Sequence, residues 1–146
     1  MTTFKTIIIG TDGSTEADAA FALAASMAQS ESARLVVVHV VELLSGKGGR
    51  YTLHADEDEI HAKVVAAVGK LKRKGVAVDL EVHQIAYGGP AHIIAQLADR
   101  EDADLIVVGN RGHNPVAEIM LGNVPVRLMH IAHRPVLVVP AKSAAG

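Results

Sequence analysis

Residues 105–140 read LIVVGNRGHNPVAEIMLGNVPVRLMHIAHRPVLVVP. The first five residues extend "AD" into an apolar, largely β-branched run that stops at Gly109. A run that short, closed by glycine, reads as a buried strand and not as a helix. RPVLVVP, residues 134–140, reads the same way. Between the two, Val124 to about Ala132 has the pattern of a helix, with Asn123 placed to cap it. Two buried strands joined through a helix are expected to lie parallel, because a two-residue hairpin cannot connect them.

The same alternation holds upstream. FKTIIIG, residues 4–10, is a buried strand, and apolar residues Ala20, Leu23, Ala24 and Met27 then recur at helical spacing. Ser14 or Thr15 is the expected cap of that helix, with Glu16 and Asp18 favourable in its first turn. RLVVVHVVE (34–42) is a second buried strand. The acidic run Asp56–Glu59 opens a helix that ends in the basic stretch Lys70–Lys74, with Gly75 as its stop. Residues 76–88 form a third strand, and alternation at Val76, Val78, Leu80 and Val82 points to a sheet edge. GPAHIIAQLADRED is a helix with Pro90 in its first turn. The expected fold is an α/β open parallel sheet of five strands with helices on both faces, in a single domain spanning 1–146. Gly46, Gly48 and Gly49 mark a flexible insertion within it, which could close over a ligand.

Composition excludes several functions. Of 146 residues, 49% are hydrophobic and 21% charged, which is enough apolar surface for a core. Two Tyr, two Phe and no Trp leave little to stack nucleic-acid bases. The net charge of −2, without a basic cluster, argues against a nucleic-acid partner. With no cysteine there is no disulfide, thiol nucleophile or thiolate-bound zinc. No run approaches the roughly 18 apolar residues of a membrane span. A soluble, cytoplasmic protein is expected.

The glycines of the opening stretch carry the chemistry. Gly109 and Gly112 bracket Asn110 and Arg111, and nine residues further on Gly122 precedes the helix. In open α/β sheets, ligands lie beyond the carboxyl ends of the strands. A turn there can aim several N–H groups at a phosphate, as can the first turn of the helix. Glycines also serve simply to turn a chain from strand to helix, and their spacing alone does not decide between the two. No Walker A sequence and no G-x-G-x-x-G occurs.

The combination of IIIGTDGS, LVVVHVVE, YGGP, DLIVVGNRG and LGNVPVRLMHIAHRPVLVV resembles the universal stress protein family over essentially the whole chain. Its ATP-binding members share G-x-x-G, nine residues, then G-[ST], and Gly109, Gly112 and Gly122 keep that spacing. The resemblance implies a Rossmann-like sheet of order 3-2-1-4-5. It sets Thr11, Asp12 and Gly13 beside the glycine turn. It implies that Asp12 lies near the ribose and any phosphate-bound metal such as magnesium, and that Val40 offers its backbone to adenine. Gly109, Asn110, Arg111, Gly112, Gly122, Asn123 and Val124 would line the phosphates, with Arg111 adding charge. The family commonly dimerises through its last strand, here Pro135–Val139.

This sequence departs from the pattern at Asn123, where the family has Ser or Thr, and at Pro125, which removes one N–H from the helix start. Members that prefer cyclic AMP can carry "GN" and "VP" at these places, as Gly109-Asn110 and Val124-Pro125 do. The expected function is an adenine-nucleotide-binding regulatory homodimer, ATP first among the ligands, with an unidentified protein partner. The alternatives are a cyclic AMP binder, a weak ATPase, or a dimeric partner protein that binds no nucleotide. Neither His130 with His133 nor His54 with His61 has a third ligand at metal-site spacing. There is no G-x-S-x-G. Asp12 with His39 is a conceivable acid–base pair, but a histidine in a buried strand is more often part of the core. No catalytic residue is assigned.

Overall fold

The computed structural model describes residues 3–45, 51–52, 57–85, 89–110 and 123–141. Its strands are β1 (Thr6–Thr11), β2 (Arg34–Glu42), β3 (Leu44–Ser45), β4 (Tyr51–Thr52), β5 (Val78–Ile85), β6 (Leu105–Gly109) and β7 (Val136–Val139). A single 3₁₀ turn, Thr15–Ala17, leads into helix α1 (Asp18–Glu31). The other helices are α2 (Glu57–Arg73), α3 (Pro90–Arg100) and α4 (Asn123–Ile131).

Five strands form one parallel sheet in the order β5-β2-β1-β6-β7. Counted among themselves, that is the expected 3-2-1-4-5. The chain winds outward through β2 to β5, then crosses back over β1 to β6 and β7. β1 and β6 therefore flank the place where the winding reverses. β3 and β4 pair antiparallel as a separate small ribbon, Leu44 opposite Thr52 and Ser45 opposite Tyr51. The ribbon stands where an unstructured insertion was expected. Gly46, Gly48 and Gly49 lie outside the described residues. Among the described residues no helix is long and apolar enough to cross a membrane.

Alternation along the strands divides the core in two. Ile7, Ile9, Leu35, Val37 and Val107 face α1 and α2, while Ile8, Val36, Val38, Ile106 and Val108 face α3 and α4. Burial on both faces is what makes these runs continuously apolar. The buried contacts of α1 are Ala20, Ala24, Ala25 and Ala28, so this helix lies against the sheet on methyl groups. On the opposite face a Cβ at Gly10 would meet Ile94 Cδ1 at 2.5 Å, so the missing side chain at residue 10 makes room for Ile94 of α3 over β1.

Several boundaries differ from expectation, each for a local reason. β1 begins at Thr6 and not at Phe4, because Asp104 Oδ2 accepts from the N–H groups of Lys5 (2.8 Å) and Thr6 (3.0 Å). β5 begins at Val78 and not at Val76. The Val76 N–H donates to Leu71 O and closes the end of α2, after Gly75 at φ +88°. β7 is confined to Val136–Val139. Arg134 is held instead by Asp102, at 2.8 Å, and by the Ala103 carbonyl. The edge position of β5 is as expected.

Two outcomes follow. The main-chain donors of Lys5, then Thr6, hold the Asp104 carboxyl below its ordinary range. A carboxylate with a depressed folded pKa stabilises the fold above its unfolded pKa and loses that contribution as pH falls. Asp104→Asn should cost about 1 kcal/mol near neutral pH, since water also reaches this group. In urea unfolding that difference should close below roughly pH 4; a difference independent of pH would contradict the assignment. Gly13 has φ +77°, and a Cβ there would overlap Ile60 Cγ2. Gly13→Ala should destabilise by about 3 kcal/mol, and a loss below about 1 kcal/mol would contradict the packing.

Candidate functional site

The main-chain ladder between β1 and β2 ends with Thr11 opposite His39. Beyond it the chain turns sharply through residues 12–14. The Gly13 N–H donates to Thr11 Oγ1 at 3.0 Å, and the Ser14 N–H donates to Asp12 Oδ1 at 3.0 Å. Ser14 Oγ in turn accepts from the Ala17 N–H at 3.2 Å, so Ser14 caps the 3₁₀ turn ahead of α1. Thr11 is 8% exposed and Asp12 half-buried. This turn therefore has fixed donors and acceptors, with the Asp12 carboxylate oriented at the carboxyl edge of the sheet.

Val40 lies on β2 just past the end of that ladder. On β2, the Arg34 N–H donates to Lys5 O on the β1 side, while the N–H groups of Leu35 and Leu43 donate toward β5. Main-chain groups of successive strand residues point alternately to the two neighbours. Even-numbered residues, Val40 included, therefore turn theirs toward β1. The Gly13 amide, which would continue the ladder to Val40, donates to Thr11 Oγ1 instead. The Val40 carbonyl thus turns toward the side where β1 leaves the sheet.

His39 points the other way, under the start of α2. Its side chain is 1% exposed. Its ring stacks on that of His61, with centroids 6.1 Å apart, and its Nε2 lies 3.3 Å from Glu57 Oε1. Burial holds the imidazole below the ordinary histidine range and His61 pushes the same way, while the charge and main chain of Asp12 oppose them. Asp12 and His39 are thus neighbours. His39 is a core histidine, as the buried strand suggested. The sequence reading missed its partners on α2, Glu57 and His61, and also Lys63. Lys63 Nζ donates to the Gly13 carbonyl at 3.3 Å and lies 2.8 Å from Asp18 Oδ1. One signal was available: a helix entered from the carboxyl end of β2 must begin above the carboxyl edge.

On the other side of β1, Gly109 ends β6. The Asn110 N–H donates to Val139 O at 3.1 Å, and Asn110 Oδ1 accepts from the Ala141 N–H at 3.1 Å. The side chain expected beside the phosphates therefore spends its carbonyl oxygen on fastening the exit of β7. Arg111, Gly112 and Gly122 lie outside the described residues. Asn123 is the first helical residue of α4, so the helix begins one position earlier than expected. Pro125 becomes the third helical position, still among the first-turn residues whose N–H groups have no partner within the helix. Val124 packs against the core beneath α3 and α4. His133 lies beyond the end of α4, with Nδ1 3.2 Å from Asp99, and His54 lies outside the described residues. Among the described residues no group of three or more His, Asp or Glu side chains is arranged to hold a metal ion.

Comparison with known proteins agrees with this architecture. The model of the universal stress protein family matches residues 3–140. A protein of Thermus aquaticus named "Universal stress protein in QAH/OAS sulfhydrylase 3'region" is 35% identical over 139 residues, covering 93% of this chain and 98% of its own. A universal stress protein solved in complex with cAMP is 27% identical with a TM-score of 0.64, covering 95% of this chain and 98% of that one. Another, from Archaeoglobus fulgidus in complex with dAMP, is 27% identical with a TM-score of 0.62, covering 92% and 97%. A match of that extent, on a sheet wound in the same order, places the chain in the universal stress protein family.

Proposed function

We propose that the chain is an adenine-nucleotide-binding regulatory protein of the stress response, with ATP as its leading ligand. The observation that carries the reading is the direction of Val40. By the alternation of the strand its carbonyl turns toward β1 beyond the last ladder pair, on the side where the chain leaves past the oriented Asp12 carboxylate. A carbonyl there accepts from the exocyclic amine of adenine, whereas guanine presents an acceptor at the same position. Two structural neighbours bound to cAMP and dAMP support the same base.

In this reading Thr11 and Asp12 meet the ribose, and a magnesium ion would reach Asp12 only through the phosphates it accompanies. Gly109, Arg111, Gly112, Gly122 and the first turn of α4 at Asn123 and Val124 take the phosphates. Asn110 contributes its main chain, since its side-chain oxygen is already engaged with Ala141. Residues 1–146 act as one cytoplasmic domain. It pairs with a second copy through Pro135–Val139, where β7 forms a half-exposed, apolar sheet edge. Catalysis has little support, because His39, a base beside Asp12, is buried beneath α2. Cyclic AMP is the second reading. Its single phosphate needs fewer donors, and Pro125 has removed one from the first turn of α4.

Denaturing the purified protein and identifying the released nucleotide by mass spectrometry should yield an adenine nucleotide. Calorimetry with ATP, AMP and cyclic AMP should then rank them. No nucleotide and no heat from any of the three would replace this reading with that of a partner protein without a ligand. Restoring the missing donor by Pro125→Ala should tighten ATP binding by up to about tenfold, the worth of one hydrogen bond. Unchanged affinity would remove Pro125 from the phosphate site.

A further inference from the structure

We propose that Lys63, on α2, is a positioning residue that sets the Asp12 carboxylate through a single peptide unit. Lys63 Nζ donates to the carbonyl of Gly13, and the N–H at the other end of that same peptide belongs to Ser14. The Ser14 N–H is the group that donates to Asp12 Oδ1. A planar, rigid peptide therefore links the ammonium to the carboxylate. The lysine itself is anchored on α1 by Asp18, with Oδ1 at 2.8 Å and Oδ2 at 3.1 Å. Ile60, one turn earlier on α2, packs against the bare face of Gly13. Two residues of α2 thus fix the orientation of this peptide, one from its oxygen and one from its Cα.

A purely structural role explains this arrangement less well. The Lys63 side chain is 46% exposed and its partner Asp18 is exposed as well. A pair open to water on both sides adds little to folding. The carbonyl it also reaches belongs to the turn that the nucleotide reading assigns to ribose, and the inference rests on that reading. Coupling of this kind is reciprocal. If Lys63 orders the turn for a nucleotide, a nucleotide bound at the turn orders the first two turns of α2.

The test uses the full chain and two substitutions. Lys63→Met keeps the aliphatic stem and removes the donor; Lys63→Arg keeps a donor of similar reach. In Lys63→Met, exchange of the Ser14 amide hydrogen should quicken roughly three- to tenfold, the scale of one lost hydrogen bond. The dissociation constant for whichever of ATP, AMP and cyclic AMP binds the parent protein most tightly should rise by a similar factor. The melting temperature should stay within a few degrees, and Lys63→Arg should recover most of both effects. Added nucleotide should slow amide exchange over residues 57–63 in the parent protein and less so in Lys63→Met. An unchanged Ser14 amide in Lys63→Met would overturn the relay, as would an unchanged affinity. If the parent protein bound none of the three nucleotides, the proposed function would fall, and the Ser14 amide would still decide whether Lys63 holds the turn.

Discussion

Among the described residues, β1 carries the main-chain ladders that join the two halves of the sheet, to β2 on one side and to β6 on the other. Its apolar residues are buried on both faces, so every N–H and C=O along it needs a partner within the protein. The difficulty comes at Thr11, where the ladder to β2 must stop while the chain is still buried. The stop is made by side chains: Thr11 Oγ1 takes the Gly13 amide and Asp12 Oδ1 takes the Ser14 amide. From that substitution follow the direction of the turn, the 3₁₀ turn capped by Ser14 that leads into α1, and a Val40 carbonyl left beyond the end of the ladder.

The two ends of the sheet are built differently. At the amino end, Arg34 pairs with Asp79 and Glu101, Arg100 with Glu81 and Glu101, and Arg134 with Asp99 and Asp102. Asp104 spends one oxygen on two main-chain donors there. The arginines and their acids pair with one another across that end. At the carboxyl end, the polar groups belong to a turn, a strand end and a helix start: Asp12, the Val40 carbonyl and the first turn of α4. Dipoles aimed outward from helix starts suit an anion, and the winding of the chain reverses at that same end. The division of labour comes from the parallel sheet, which sends all its strand ends of one kind to one side.

Much of this was legible in the sequence, because the runs IIIG, LVVVHVV and LIVVG have room only for buried strands. Pro90 and Gly75 marked helix ends that the structure keeps. The edge position of β5 could be read from its alternation. What could not be read was set by partners distant along the chain. Nothing near Lys5 reveals that Asp104 will take its amide. Nothing in GNRG reveals that Asn110 will be occupied with Ala141. The last helix begins at Asn123 itself and not at Val124, a one-residue shift that sequence pattern does not resolve. Glu57 and His61 sat in a stretch legible only as a solvated helix start. Their contact with His39 appears only when the crossover brings α2 over the end of β2.

The alanine face of α1 has a consequence beyond packing. A methyl group has no rotamers, so the fully buried part of the helix face that follows the Thr11–Ser14 turn has no alternative side-chain positions to sample, with Phe21 and Met27 packed beside it. The surface beneath the turn has correspondingly little conformational entropy to surrender when something binds above it. A long, flexible side chain in the same place would have charged that cost to every binding event. The seat of the turn is therefore preorganised in part by composition, before any hydrogen bond to a ligand is made.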